Sequence, residues 1–214
     1  MLSISTYSSL LPIVFYLLFL NRNRGRKLWF IQLSCSASLI TDLVISWARL
    51  QDPINRGVIY LVSTIYTLIE GALFVIFLHS VLRIRTFKNI ILLLAALNFA
   101  YGIGSLATEP DLSVDYYNLK FAAIEEASII LLCIFYYYEQ LNNPEVTFIY
   151  ELKEFWPVTA YFFLTVSTLF LFIAASILGA SIGDYWPINQ TATTIKCLIL
   201  LIGLYHRSPV QLRR

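Results

Sequence analysis

Charge is scarce in this sequence. Asp, Glu, Lys and Arg supply only 13% of 214 residues, against 58% hydrophobic residues and a mean hydropathy of +0.72. So few charges cannot clothe a water-exposed surface of that size, which argues against an ordinary soluble domain. The formal charge of +2 is too small, and too little gathered in one segment, for a nucleic-acid partner. Histidine is nearly absent: His79 and His206 are too few and too separated for a metal-ligand motif, and both fall near expected inner helix ends. The three cysteines, Cys35, Cys133 and Cys197, sit in apolar segments, where a thiol behaves as a small hydrophobe, so neither a disulfide nor a metal framework is inferred. There is no nucleophile elbow, phosphate loop or histidine-rich motif, and no catalytic residue is assigned. Nor does an internal repeat of the inverted-transporter type stand out.

What the sequence has is long apolar runs. They lie at about 5–20, 28–48, 57–82, 89–107, 117–138, 156–181 and 185–205. Crossing about 30 Å of hydrocarbon takes roughly 20 residues of helix, so these runs account for nearly the whole chain. They predict an all-α polytopic bundle of seven transmembrane helices in a single domain over 1–214. The breaks between them are RLQDPINRG, RIRTFK, TEPDLSVDYYN, the stretch from Glu139 to Glu154, and a short step at Gly183 and Asp184. That last boundary is the weakest, because Phe155 to Gly183 is 29 residues without a charge, long enough for one tilted helix and too short for two spans.

Orientation follows from the basic residues. The first run has no charge before it and Arg22, Arg24, Arg26 and Lys27 after it, the reverse of a secretory signal, so it reads as an uncleaved first helix. With the N-terminus outside, eleven basic residues fall on inner loops and the C-terminal tail, and only Arg49, Arg56 and Lys120 fall outside. This is the positive-inside pattern, with the C-terminus inside. Trp29 and Trp156 then mark inner helix ends and Trp47 and Trp186 outer ends, as indole rings favour the headgroup region. The expected location is a cell membrane, of the bacterial inner-membrane type, with the lipid bilayer as the principal partner.

Five charges lie inside the runs: Asp42 in the second, Glu70 in the third, Glu125 and Glu126 in the fifth, and Lys196 in the seventh. An ionised group near the bilayer centre costs roughly 2.5–3.5 kcal/mol on insertion scales, so such groups face the bundle interior and find partners. Lys196 is the only base at that depth, and Glu70 is its expected partner, with Glu125 second. Polar residues keep helical step with these charges: Ser34 and Ser38 with Asp42, Thr67 with Glu70, Asn189 and Thr193 with Lys196. The expected ligand or proton site is Asp42, Thr67, Glu70, Glu125, Glu126, Asn189, Thr193 and Lys196. The competing reading is a set of interhelical hydrogen bonds and one salt bridge that only fix helix register. The acceptor pattern Asn189-Gln190-Thr191 lies within a span and is set aside, and Gly179 and Gly183, preceded by Ala175, form a small-residue step for close packing, homodimerisation or hinge motion.

A lysine midway along a seventh helix, with a glutamate on the third, resembles the retinal site of microbial rhodopsins. That family also carries an Arg-Trp pair with following acids on helix 3 and an aromatic-proline pattern on helix 6. Here helix 3 reads YTLIEGALF and helix 6 has no proline after Pro157. Retinal on Lys196 is therefore not expected, and no cofactor is assigned. The ITDL step, YTLIE and the FW start of the sixth run together resemble small uncharacterised heptahelical membrane proteins of bacteria. That resemblance implies a fold and no reaction.

Three functions are compatible with these residues. The first is a receptor-like or sensory membrane module in which a ligand or proton at the buried charges biases helix packing. Its cytoplasmic protein partner would meet the Glu139 to Glu154 loop, which mixes acids with Val146, Phe148, Ile149 and Tyr150; the alternative for this loop is an amphipathic segment on the membrane surface. The second is a proton- or ion-coupled transporter or channel, and the third a lipid-modifying membrane enzyme. A cavity closed on one side favours the first, a continuous polar path the second, and a headgroup-sized lateral cavity the third.

Overall fold

In hydrocarbon each backbone N–H and C=O must find its partner within the chain, and a helix does this locally. The computed structural model describes residues 4–18, 28–51, 56–108, 119–178 and 182–205, and among them seven α-helices and no strand. They are α1 (Ile4–Leu18), α2 (Trp29–Gln51), α3 (Arg56–Val81), α4 (Arg85–Thr108), α5 (Leu119–Leu141), α6 (Phe155–Leu178) and α7 (Ile182–Tyr205), with a 3₁₀ turn at Ile149–Glu151. The six helices α2 to α7 are long and apolar enough to cross a membrane, as befits a multi-pass membrane protein. The described part of α1 is 15 residues and contains Pro12. Near this step the described residues are those of α6 up to Leu178 and of α7 from Ile182, with Gly183 and Asp184 inside α7.

Hydroxyl side chains inside the helices bond to their own backbone one turn earlier: Thr64 donates to the Tyr60 carbonyl, Thr165 to that of Tyr161 and Thr194 to that of Gln190, each at 2.9 Å. This back-bonding lets a strongly apolar helix carry polar residues without an unsatisfied donor.

Consecutive helices run antiparallel. Tyr137 of α5 bonds Thr159 of α6 at 3.0 Å, and Phe87 of α4 stacks on Phe135 of α5 at 5.0 Å. Helix α7 packs against both α6 and α1, while α4 lies at the side of the bundle against α3 and α5. A Cβ at Gly203 would come within 2.7 Å of the Trp156 Cβ, so α7 reaches α6 closely only because this residue has none.

The start of α4 falls at Arg85 rather than near 89, and α5 runs on to Leu141. The cause is Glu139. Its carboxylate accepts the backbone N–H of Arg83 at 2.7 Å and of Ile84 at 2.8 Å, just before α4 begins. Negative charge there satisfies exposed donors and complements the positive end of the helix. Glu139 is thereby buried, as is Lys153, so the polar stretch between α5 and α6 is partly folded into the bundle. Glu145 is exposed and pairs with Arg83 at 2.9 Å.

The apolar core occupies one half of the bundle. It gathers Ile31 and Cys35 of α2, Phe74, Phe77 and Leu78 of α3, Leu132, Cys133 and Tyr136 of α5, Val158 and Tyr161 of α6, and Leu200 and Leu204 of α7. This half holds the N-termini of α2, α4 and α6 and the C-termini of α3, α5 and α7. Trp29 and Trp47 are exposed at opposite ends of α2. The basic run at 21–27, Gly179, His206 and the tail, together with the side chains of Ala175, Gly183 and Trp186, lie outside the described residues.

Candidate functional site

The other half of the bundle is polar inside. Its centre is an ion pair between the only buried lysine of a span and the acid of α3: Lys196 Nζ stands 3.0 Å from Glu70 Oε1. Lys196 is 2% exposed and the Glu70 side chain 14%. Burial at this level makes each charge dependent on the other, because neither can turn to water.

Neighbours surround the pair. Ser34 of α2 donates to Glu70 Oε1 at 3.3 Å and shares a hydrogen bond with the Tyr161 hydroxyl of α6. The Tyr161 ring lies 5.0 Å from the ammonium, a cation–π distance, and stacks on Phe74 at 4.4 Å. Tyr66, one turn before Glu70 on α3, has its hydroxyl beside the same carboxylate. Four helices are thus tied at one point, and Tyr161 links it to the apolar core.

Beside this point is a cavity of about 160 Å³. All eight residues expected from the sequence border it: Asp42 from α2, Thr67 and Glu70 from α3, Glu125 and Glu126 from α5, and Asn189, Thr193 and Lys196 from α7. The hydroxyl of Thr67 donates to the Ser63 carbonyl at 3.0 Å, leaving only its lone pairs for anything in the cavity.

The two adjacent glutamates diverge, as successive residues about 100° apart on a helix must. Glu125 lies against α3, where a Cβ on Gly71 would overlap its Oε1, so the absence of a side chain at Gly71 makes the space for it. Glu126 turns toward α6, with the Thr168 hydroxyl beside its carboxyl group. Glu125 is 7% exposed and has no hydrogen-bond partner among the described residues; the Glu126 Oε2 is buried and likewise has none. The Lys196 ammonium makes its ion pair with Glu70 and not with either glutamate of α5. A cavity so lined suits positive charge, whether protons on the carboxyl groups or a cation between them.

Tyr66, Tyr161 and Thr168 belong to the site without having been singled out from the sequence. Tyr66 carried a readable signal, its i, i+4 spacing from Glu70. Tyr161 and Thr168 did not, for both sit in the uncharged stretch of α6 where nothing in the pattern marks one hydroxyl above another. No family model, curated protein or solved structure matches the chain.

Proposed function

We propose that the chain is a receptor-like or sensory module of a cell membrane, of the bacterial inner-membrane type, in which occupation of the polar cavity biases the packing of α2, α3, α5 and α7. The observation that carries this reading is the contrast within one bundle. The cavity, with the unpartnered Oε2 of Glu126 beside it, lies in one half, while Phe74, Phe77, Tyr136 and Val158, each 0% exposed, pack the other. A transport path would have to cross that packed half. A lipid-modifying enzyme would need a nucleophile paired with a base beside the cavity, whereas the wall hydroxyls of Ser63, Thr67, Thr165 and Thr168 donate to carbonyls of their own helices.

In the seven-span topology set by the basic residues, the cavity lies in the outer half and the 139–154 segment faces the cytoplasm. Phe148 and Tyr150 are exposed there and stack on each other at 5.4 Å, which suits them to contact a cytoplasmic protein. Reporter fusions after Arg24 and at the C-terminus both read cytoplasm in this topology, and ends found on the same side of the membrane overturn it.

The functional test is made in proteoliposomes. Spin labels at Ala107 and Leu141 report bundle rearrangement as outer pH is varied, while a trapped pH dye reports flux. A sensor changes label distances without moving protons across the membrane, and folded Lys196→Met loses the change. Proton flux abolished by Lys196→Met replaces this reading with a transporter.

A further inference from the structure

A second cavity, of about 640 Å³, lies between α3, α4 and α5. Its wall is almost wholly apolar, with Leu68, Val75, Leu94 and Leu132 among the lining side chains, and Phe99 and Ile103 are exposed at it, so the groove faces the hydrocarbon. Glu125 is its one charged lining residue. Glu125 and Ile129 also border the polar cavity, so the carboxyl group stands at the seam between the two spaces, in the room left by Gly71.

A carboxyl group more than nine-tenths buried, without a hydrogen-bond partner and beside a lipid-facing groove is expensive unless something positive meets it. Among the described residues no three acidic, histidine or cysteine side chains converge to hold a metal ion. The arrangement therefore suits a cation that brings its own hydrogen-bond donors and an apolar body. We propose that the seam binds a single-chain alkylammonium ion, its ammonium held by Glu125 and Glu126 in the polar cavity and its alkyl tail lying in the groove between α3, α4 and α5.

The proposal deepens the sensory reading and rests on it. A primary ammonium has three donors, enough for Glu125, the unpartnered Glu126 Oε2 and one lone pair of a wall hydroxyl. The tail exchanges lipid contacts for groove contacts of the same apolar kind, so it can enter sideways from the bilayer. A two-chain phospholipid fits poorly, since its phosphate would sit at mid-helix depth beside carboxylates. An alkyl carboxylate would be repelled by Glu125.

The experiment is saturable binding of radiolabelled n-decylammonium to the full chain in nanodiscs of neutral phosphatidylcholine, with methylammonium and decanoate as competitors. Decylammonium binds saturably, methylammonium competes at least tenfold more weakly, and decanoate does not compete. Glu125→Gln weakens decylammonium binding at least tenfold, and Glu125→Asp, which keeps the charge, restores part of it. Ala96→Trp, which fills the exposed side of the groove, weakens decylammonium binding while leaving methylammonium competition unchanged. Each variant is first matched to the parent in elution volume and melting temperature, and if Glu125→Gln does not fold the Asp and Trp variants carry the test.

Equal affinity for the two amines, with Ala96→Trp silent, overturns the amphiphile while leaving the polar cavity as a cation site. Competition by decanoate makes the groove a nonspecific lipid slot and overturns it too. Absence of saturable amine binding also overturns it, and the pH response of the spin labels then decides the sensory reading separately.

Discussion

The half of the bundle around Phe77 and the half around Lys196 are built from the same helices α2, α3, α5, α6 and α7, yet they are held by different forces. Around Phe77 the side chains are aromatic and aliphatic and fill the space between helices. In a bilayer this packing gains little from leaving lipid, which is equally apolar, and depends on close fit. Around Lys196 the helices are joined by an ion pair, a serine and a phenol, and a cavity remains. The polar half holds because its groups have nowhere else to go, and it borders the polar cavity.

The largest effect that tests this contrast comes from splitting the ion pair. Lys196→Met or Glu70→Gln alone leaves one buried group without its counter-charge, and each is expected to cost about 3–5 kcal/mol of stability. The double variant should cost less than the worse single variant, because it buries no lone charge. Unfolding of the purified proteins in lipid micelles gives the three values. Small and equal losses would mean that the pair contributes nothing, and the polar half would then be held by packing like its counterpart.

A middle-sized effect belongs to the apolar half, at its own polar exception. Glu139→Ala deprives the Arg83 and Ile84 N–H groups of their acceptor, and loss of a side chain that caps a helix start costs about 0.5–2 kcal/mol. The loss should appear in the same unfolding measurement, with faster amide exchange confined to the first turn of α4. Exchange spread over the whole bundle would show instead that Glu139 holds more than this corner.

The smallest and sharpest comparison pits two tyrosines against each other. Tyr161→Phe loses the bond shared with Ser34 and should cost about 1 kcal/mol. The Tyr136 hydroxyl is buried with no hydrogen-bond partner among the described residues, so Tyr136→Phe should be neutral or slightly stabilising. A reversed order of the two melting temperatures would erase the distinction between the halves at the level of single hydroxyls.

Much of this was legible beforehand, for a physical reason. Hydrocarbon allows few solutions, so runs of about 20 apolar residues announce helices, and charges within them announce partners. What the apolar pattern did not announce is the first turn of α4 at Arg85, which is completed by Glu139, a residue more than fifty positions away. The eight site residues could be chosen because a charge or a polar neighbour at helical spacing stands out against so apolar a background. Tyr161 and Ser34 could not be paired from sequence, since their bond spans 127 positions and depends on how α2 and α6 face each other.

The sequence by itself determined that the chain is all-helical, that α2 to α7 can cross a membrane, and that Lys196 would need an acid. These follow from composition and spacing, which are local properties. Only the tertiary structure decided that the acid is Glu70, that Glu125 lies in the space left by Gly71 at the seam of two cavities, and that polar and apolar cores occupy opposite halves. Those outcomes depend on the rotation and depth of each helix against its neighbours, which packing sets and no single segment encodes.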